Sequence, residues 1–221
     1  MELLVFGHGG APVLVFPTSM GRFYQWEEFG MVQALSQYLK QGWIQLFCVD
    51  SVDSESWYNH SVPVAVRGAR HNQYERYLLD EVLPFIKNQN ATPYLIATGC
   101  SFGAYHAANF SFKHPDRVDR CIAISGNYDL HFLLDGQYDD SCYFNSPDDY
   151  LSNLSDEHYL RGYREHMHLI LVVGGSADIC YNGTQRLGDI LAAKDIPHTL
   201  DVWGPAWHDW PWWKQMIVKY I

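Results

Sequence analysis

A chain of 221 residues suits one compact domain with a sizeable core, and 48% hydrophobic with 18% charged residues excludes a disordered polymer. The net charge of -10 argues against a nucleic-acid or anionic-membrane surface, because both need a basic patch. Five cysteines (Cys48, Cys100, Cys121, Cys142, Cys180) have no metal-ligand spacing and read as buried free thiols.

Apolar runs alternate with helical patterns, which predicts an α/β fold: a mostly parallel central sheet with helices on both faces. Leu3 to Phe6 and Pro12 to Phe16 read as strands joined as a hairpin through His8-Gly9-Gly10. Pro17 to Gly21 is the loop that follows. Helical spacing then runs from Phe23 to Leu39 through Trp26, Phe29, Met31 and Leu35. Trp43 to Val49 is an apolar strand, followed by a polar loop containing Asp53, Trp57, Asn59 and His60. A long helix covers Ala65 to Lys87, with Pro84 predicting a kink near its end.

Tyr94 to Ala97 reads as a buried strand running into Gly99-Cys100-Ser101-Phe102-Gly103, and small residues at helical spacing follow. Gly-x-Ser-x-Gly between a strand and a helix is the context of a nucleophile elbow. Side chains at the two glycines would collide with the neighbouring strand and helix, while the serine sits strained at a helix N-terminus that favours negative charge. Cys121 to Ser125 is the next strand. Residues 127–164 lack a strong period and read as a lid-like insertion of a single domain spanning 1–221. Strands at Leu169 to Val173 and Thr199 to Trp203 flank a helix from Gly183 to Lys194, and Trp212 to Ile221 is a final amphipathic helix.

A serine hydroxyl needs a base, and histidine, with an ordinary pKa of about 6.5, can take and return its proton. A carboxylate then fixes the imidazole tautomer. Ser101, Asp178 and His208 occur in that order, each just past the C-terminal end of its own strand, where α/β sheets carry their chemistry. Asp129 is the competing acid, and Asp209 is too close in sequence to His208 to reach its Nδ1. The oxyanion hole needs two backbone N–H groups. Phe102 supplies one, and Ser19 or Met20 in the Pro17 to Gly21 loop supplies the other. Trp207, Trp57 and Tyr24 are candidates for the substrate wall, whereas Trp210 and Trp213 read as pins for the last helix.

The elbow with Tyr105 and His106, the Phe16-Pro17-Thr18-Ser19 loop and the closing His208-Asp209-Trp210-Pro211-Trp212-Trp213 resemble the esterase D-type family of α/β-hydrolases. That family is similar to S-formylglutathione hydrolases, feruloyl esterases and mycolyltransferases. The resemblance covers almost the whole chain and implies Ser101 as nucleophile, Asp178 as acid and His208 as base. Two departures stand out: Pro17-Thr18 replaces the family's common His-Gly, and Trp207 stands where Gly is common. The expectation is a serine hydrolase that cleaves carboxylic esters through an acyl-enzyme, with no metal or cofactor. An acyltransferase and a non-catalytic binding module are the alternatives. The expected partner is a small-molecule ester, with no nucleic acid or membrane, and a homo-oligomer is compatible with the composition. No apolar run is long enough to span a bilayer and no basic segment precedes the opening Met-Glu-Leu-Leu, so the expected location is cytoplasmic. A mature secreted chain stripped of its signal would read the same way.

Overall fold

The computed structural model describes residues 1–221. Seven strands form one sheet: β1 (Leu3–Phe6), β2 (Ala11–Phe16), β3 (Ile44–Val49), β4 (Ile96–Cys100), β5 (Arg120–Ile124), β6 (His168–Gly174) and β7 (His198–Trp203). Their order is β1-β3-β2-β4-β5-β6-β7, and only the β1–β3 pairing is antiparallel.

The period-2 alternation of the strands sorts their side chains into two cores. On β2, Leu14 and Phe16 face one layer while Val13 and Val15 face the other. The first layer is α4 (Val64–Tyr77), α5 (Leu83–Gln89), α6 (Phe102–Lys113) and α10 (Tyr181–Ala193), joined by α8 (Pro147–Asn153) and α9 (Glu157–Glu165). The second holds three short helices, α1 (Gln25–Glu28), α2 (Met31–Ala34) and α3 (Ser36–Lys40), with α11 (Trp210–Tyr220). No helix is long and apolar enough to cross a membrane.

Three expectations are corrected. The β1–β2 hairpin does not form. Both edges of β2 are taken by β3 and β4, and β1, half-exposed along its length, pairs with β3 in the register Leu3↔Val49 to Phe6↔Leu46. The helix expected over Phe23 to Leu39 breaks at Gly30, whose φ is 77°, yet Trp26, Met31, Leu35 and Leu39 still fill one core. The kink expected at Pro84 is a π-helical turn at Leu78–Val82. Proline has no N–H to donate and its ring crowds the carbonyl four residues back, and the wider π turn relieves both problems.

Residues 127–164 divide into two parts. Leu130, Leu133, Leu134 and Cys142 pack with Phe102 and Tyr105 over the start of α6, with α7 (Asp140–Tyr143) in this cap. Leu151, Leu160 and Tyr163, from α8 and α9, belong instead to the main core.

Candidate active site

Two steric facts shape the turn between β4 and α6. A Cβ on Gly99 would sit 2.3 Å from the carbonyl of Gly103, and one on Gly103 would sit 2.5 Å from the carbonyl oxygen of Pro17. Only glycine at both positions lets β4, α6 and the loop after β2 approach this closely. Ser101 between them has φ 57° and ψ -125°, a conformation that costs a non-glycine residue about 1–3 kcal/mol. Its N–H is tied to the Ile124 carbonyl at 2.9 Å. The turn lifts the hydroxyl above the C-terminal edge of the sheet.

Asp178 follows β6 and His208 follows β7, and both reach this edge. His208 Nε2 lies 2.9 Å from Ser101 Oγ, and His208 Nδ1 lies 2.8 Å from Asp178 Oδ1. An ionised carboxylate only accepts, so Nδ1 carries the imidazole proton and Nε2 is free to accept the serine proton. Asp178 is buried and fully engaged. Its Oδ1 also accepts from the Cys180 N–H at 2.9 Å, while Oδ2 accepts from Ser125 Oγ at 2.6 Å and the Gly174 N–H at 3.1 Å. Burial by itself would raise this carboxyl, but hydrogen bonds from His208, Ser125 and Cys180 outweigh it and hold the group below its ordinary value. Trp213 Nε1 donates to Ser125 Oγ at 3.0 Å, and its ring meets His208 edge-on at 4.9 Å. The last helix is thus pinned to the polar network.

Asp129 is occupied with His131, and Asp209 caps α11 by accepting from the Trp210 N–H. Asp178, Cys180 and His208 have metal-ligand atoms within 4.8 Å of one another. This trio is poorly suited to an ion, because the donors of Asp178 and His208 are hydrogen-bonded and burial pushes the Cys180 thiol up to about 12.

The family model described as "Putative esterase" matches residues 12–220. The chain belongs to this esterase family. A comparison with curated proteins gave no significant match. Among solved structures, a ferulic acid esterase aligns with TM-score 0.72 and 16% identity over 96% of this chain and 83% of its own. The S-formylglutathione hydrolase FrmB of Staphylococcus aureus aligns with TM-score 0.70 and 16% identity, over 96% and 80% of the two chains. MPT51 of Mycobacterium tuberculosis aligns with TM-score 0.68 and 13% identity, over 96% and 88%. The solved structures show the fold of the α/β-hydrolases, and the family places the protein among the esterases.

The loop after β2 separates the two candidate oxyanion donors of this esterase. Gly21 N–H bonds the Thr18 carbonyl at 2.9 Å, closing a turn in which Met20 has φ 57°. Met20 is corrected as a donor: its N–H points inward to Asp53 Oδ2 at 2.9 Å. Thr18 N–H is likewise engaged, by Gln25 Oε1 at 2.8 Å. The Ser19 N–H between them has no acceptor within the protein. Phe102 opens α6, so its N–H has no helical partner.

The aromatic candidates separate as well. Trp57 is corrected: it is 0% exposed, packed among Tyr105, Leu133 and Cys142, and cannot touch a substrate. Its neighbour Tyr58 faces the site. The Tyr58 hydroxyl donates to Ser19 Oγ at 2.9 Å, and its ring meets Phe102 edge-on at 5.1 Å. Burial raises the Tyr58 hydroxyl above its ordinary value, which keeps it a donor. No periodicity marks Tyr58 over Trp57 in an irregular loop. Trp207, beside His208, is 63% exposed, and Tyr24 is half-exposed against Phe23.

Proposed function

We propose that Ser101, His208 and Asp178 form a catalytic triad that hydrolyses carboxylic esters through an acyl-enzyme. The observation that carries this reading is the continuous relay of 2.9 and 2.8 Å from the serine hydroxyl through the imidazole to a buried carboxylate. Ser101 Oγ attacks the acyl carbonyl carbon, and its proton passes to His208 Nε2. Asp178 holds the imidazole and stabilises the imidazolium. The tetrahedral oxyanion is received by the N–H groups of Phe102 and Ser19. Collapse expels the alcohol, which takes the proton from His208. Water then attacks the acyl group by the same route and frees Ser101.

Aromatic side chains border the proposed site: exposed Trp207 is adjacent to His208 in the chain, and Tyr58 packs edge-on against Phe102. Such walls suit a small apolar or aryl acyl group. The cap built on Leu130, Leu133, Leu134 and Cys142 packs on Phe102 and so borders the proposed oxyanion site, whereas Leu151, Leu160 and Tyr163 serve the body of the fold. The test is hydrolysis of p-nitrophenyl acetate together with labelling by a fluorophosphonate. Wild type is expected to turn over the ester and to be labelled at Ser101, and Ser101→Ala to lose both. Turnover retained by Ser101→Ala would remove the triad.

A further inference from the structure

The protein holds a second, buried aspartate–histidine pair. His106, one turn into α6, has Nε2 2.8 Å from Asp53 Oδ1. Both side chains are sealed from solvent. The other Asp53 oxygen accepts from the Met20 N–H at 2.9 Å. One carboxylate therefore ties α6 to the loop after β2, the two elements that supply the Phe102 and Ser19 N–H groups.

We infer that Asp53, braced by His106, is a positioning residue that holds the Ser19 N–H in the oxyanion site during ester hydrolysis. The inference rests on the triad reading above and goes beyond it. Met20 is in a backbone conformation that non-glycine residues rarely adopt, and such a turn persists only when its surroundings hold it. Thr18 N–H is anchored to Gln25 and Met20 N–H to Asp53, which leaves the intervening Ser19 N–H as the free donor. Without Asp53, the Ser19–Met20 peptide can rotate and carry the loop away. His106 is clamped between Phe16 and His71 at ring separations of 5.8 and 5.6 Å, so Asp53 has a fixed partner. His71 is kept neutral by its burial and by the nearby His106, which leaves no competing cation for the Asp53 carboxylate there. In this dry setting a carboxylate makes short, strong bonds to its two donors.

The test compares wild type, Asp53→Asn and Asp53→Ala by p-nitrophenyl acetate kinetics and by inhibition with a trifluoromethyl ketone. The ketone forms a tetrahedral adduct whose oxygen occupies the oxyanion site. Removing a donor outright typically costs about 10²–10³ in kcat, so a donor that is only displaced in Asp53→Ala is expected to cost about 10- to 100-fold. The ketone should weaken by the same factor, with KM within about threefold. Asp53→Asn should recover most of the loss, to about 3- to 10-fold below wild type. Its Oδ1 can accept from Met20 and its amide can donate to the other His106 tautomer. A folded Asp53→Ala with kcat and ketone affinity within twofold of wild type would overturn the inference. So would a variant that loses thermal stability or KM but keeps ketone affinity, because that is a purely structural role. Should Asp53→Ala not fold, Asp53→Asn decides alone: equality with wild type in both readouts overturns the idea. Failure of the triad is seen separately, in wild type unlabelled at Ser101, before any Asp53 variant is made.

Discussion

The two aspartate–histidine pairs near Ser101 share one distance, a 2.8 Å contact between carboxylate and imidazole, through Nδ1 of His208 and Nε2 of His106. They differ in what the second end of each pair meets. His208 turns its other nitrogen to the Ser101 hydroxyl at a partly open edge, with 16% of its side chain exposed. His106 lies among aromatic rings, and it is Asp53 that reaches onward, to a backbone N–H. On the proposed triad and the inferred brace, the same chemical pair would serve a proton relay where solvent and substrate have access, and a rigid brace where they do not. The relay needs an imidazole that can gain and lose a proton. The brace needs only a constant acceptor.

Changes at the relay should show in activity far more than in stability. Ser101→Ala should lower kcat for p-nitrophenyl acetate by about 10⁴-fold or more, with an unchanged circular dichroism spectrum. Asp178→Asn should lower kcat by about 10²- to 10⁴-fold, because an amide no longer fixes the imidazole tautomer. His208→Ala should remove activity and cost about 1–2 kcal/mol in urea, because buried Asp178 keeps its donors Ser125, Gly174 and Cys180 whereas Asp53 has only the Met20 N–H besides His106. Equal stability losses at His208 and His106 would break the comparison.

The brace should show the opposite balance. His106→Phe keeps an aromatic ring but leaves the Asp53 carboxylate buried without its partner. A stability loss of about 3 kcal/mol in urea is expected, larger than that of His208→Ala.

Asp148 shows what a buried carboxylate does with no histidine. It is 1% exposed and neither oxygen has a hydrogen bond; Arg186 Nε lies 3.1 Å away but is not aligned to donate. Burial raises this carboxyl to about 7, against an ordinary value of 3.8. Between those values the folded protein holds a proton that the unfolded chain has lost. The favourable contribution is therefore present at low pH and falls away as pH rises toward 7. Asp148→Asn should gain on the order of 2 kcal/mol at pH 8 and almost nothing near pH 4, as read from urea unfolding at the two pH values. A gain of equal size at both would show that the carboxylate is not the titrating group.

Much of the site was legible because its sequence signals are local. Gly99 and Gly103 are four residues apart, and the contacts that demand them lie within the same turn and the loop beside it. Asp178 and His208 were readable as residues just past apolar runs, since parallel strands end at one edge. The aromatic wall was less legible. Trp57 and Tyr58 are neighbours in a loop with no period, and only the packed cap shows that the first faces in and the second out.

The sequence alone determined where the strands fall, though not their ends (the strand read over Tyr94 to Ala97 is Ile96–Cys100), which of their faces are apolar, and where a serine must be strained, because periodicity and steric exclusion act over a few residues. Tertiary structure decided which edge β1 joins, since a strand's pattern specifies its faces and not its neighbours. It also decided that Ser19 and not Met20 has the free N–H, and that Asp53 meets His106. Those outcomes depend on hydrogen bonds between segments 33 and 53 residues apart, for which neither segment carries a local mark.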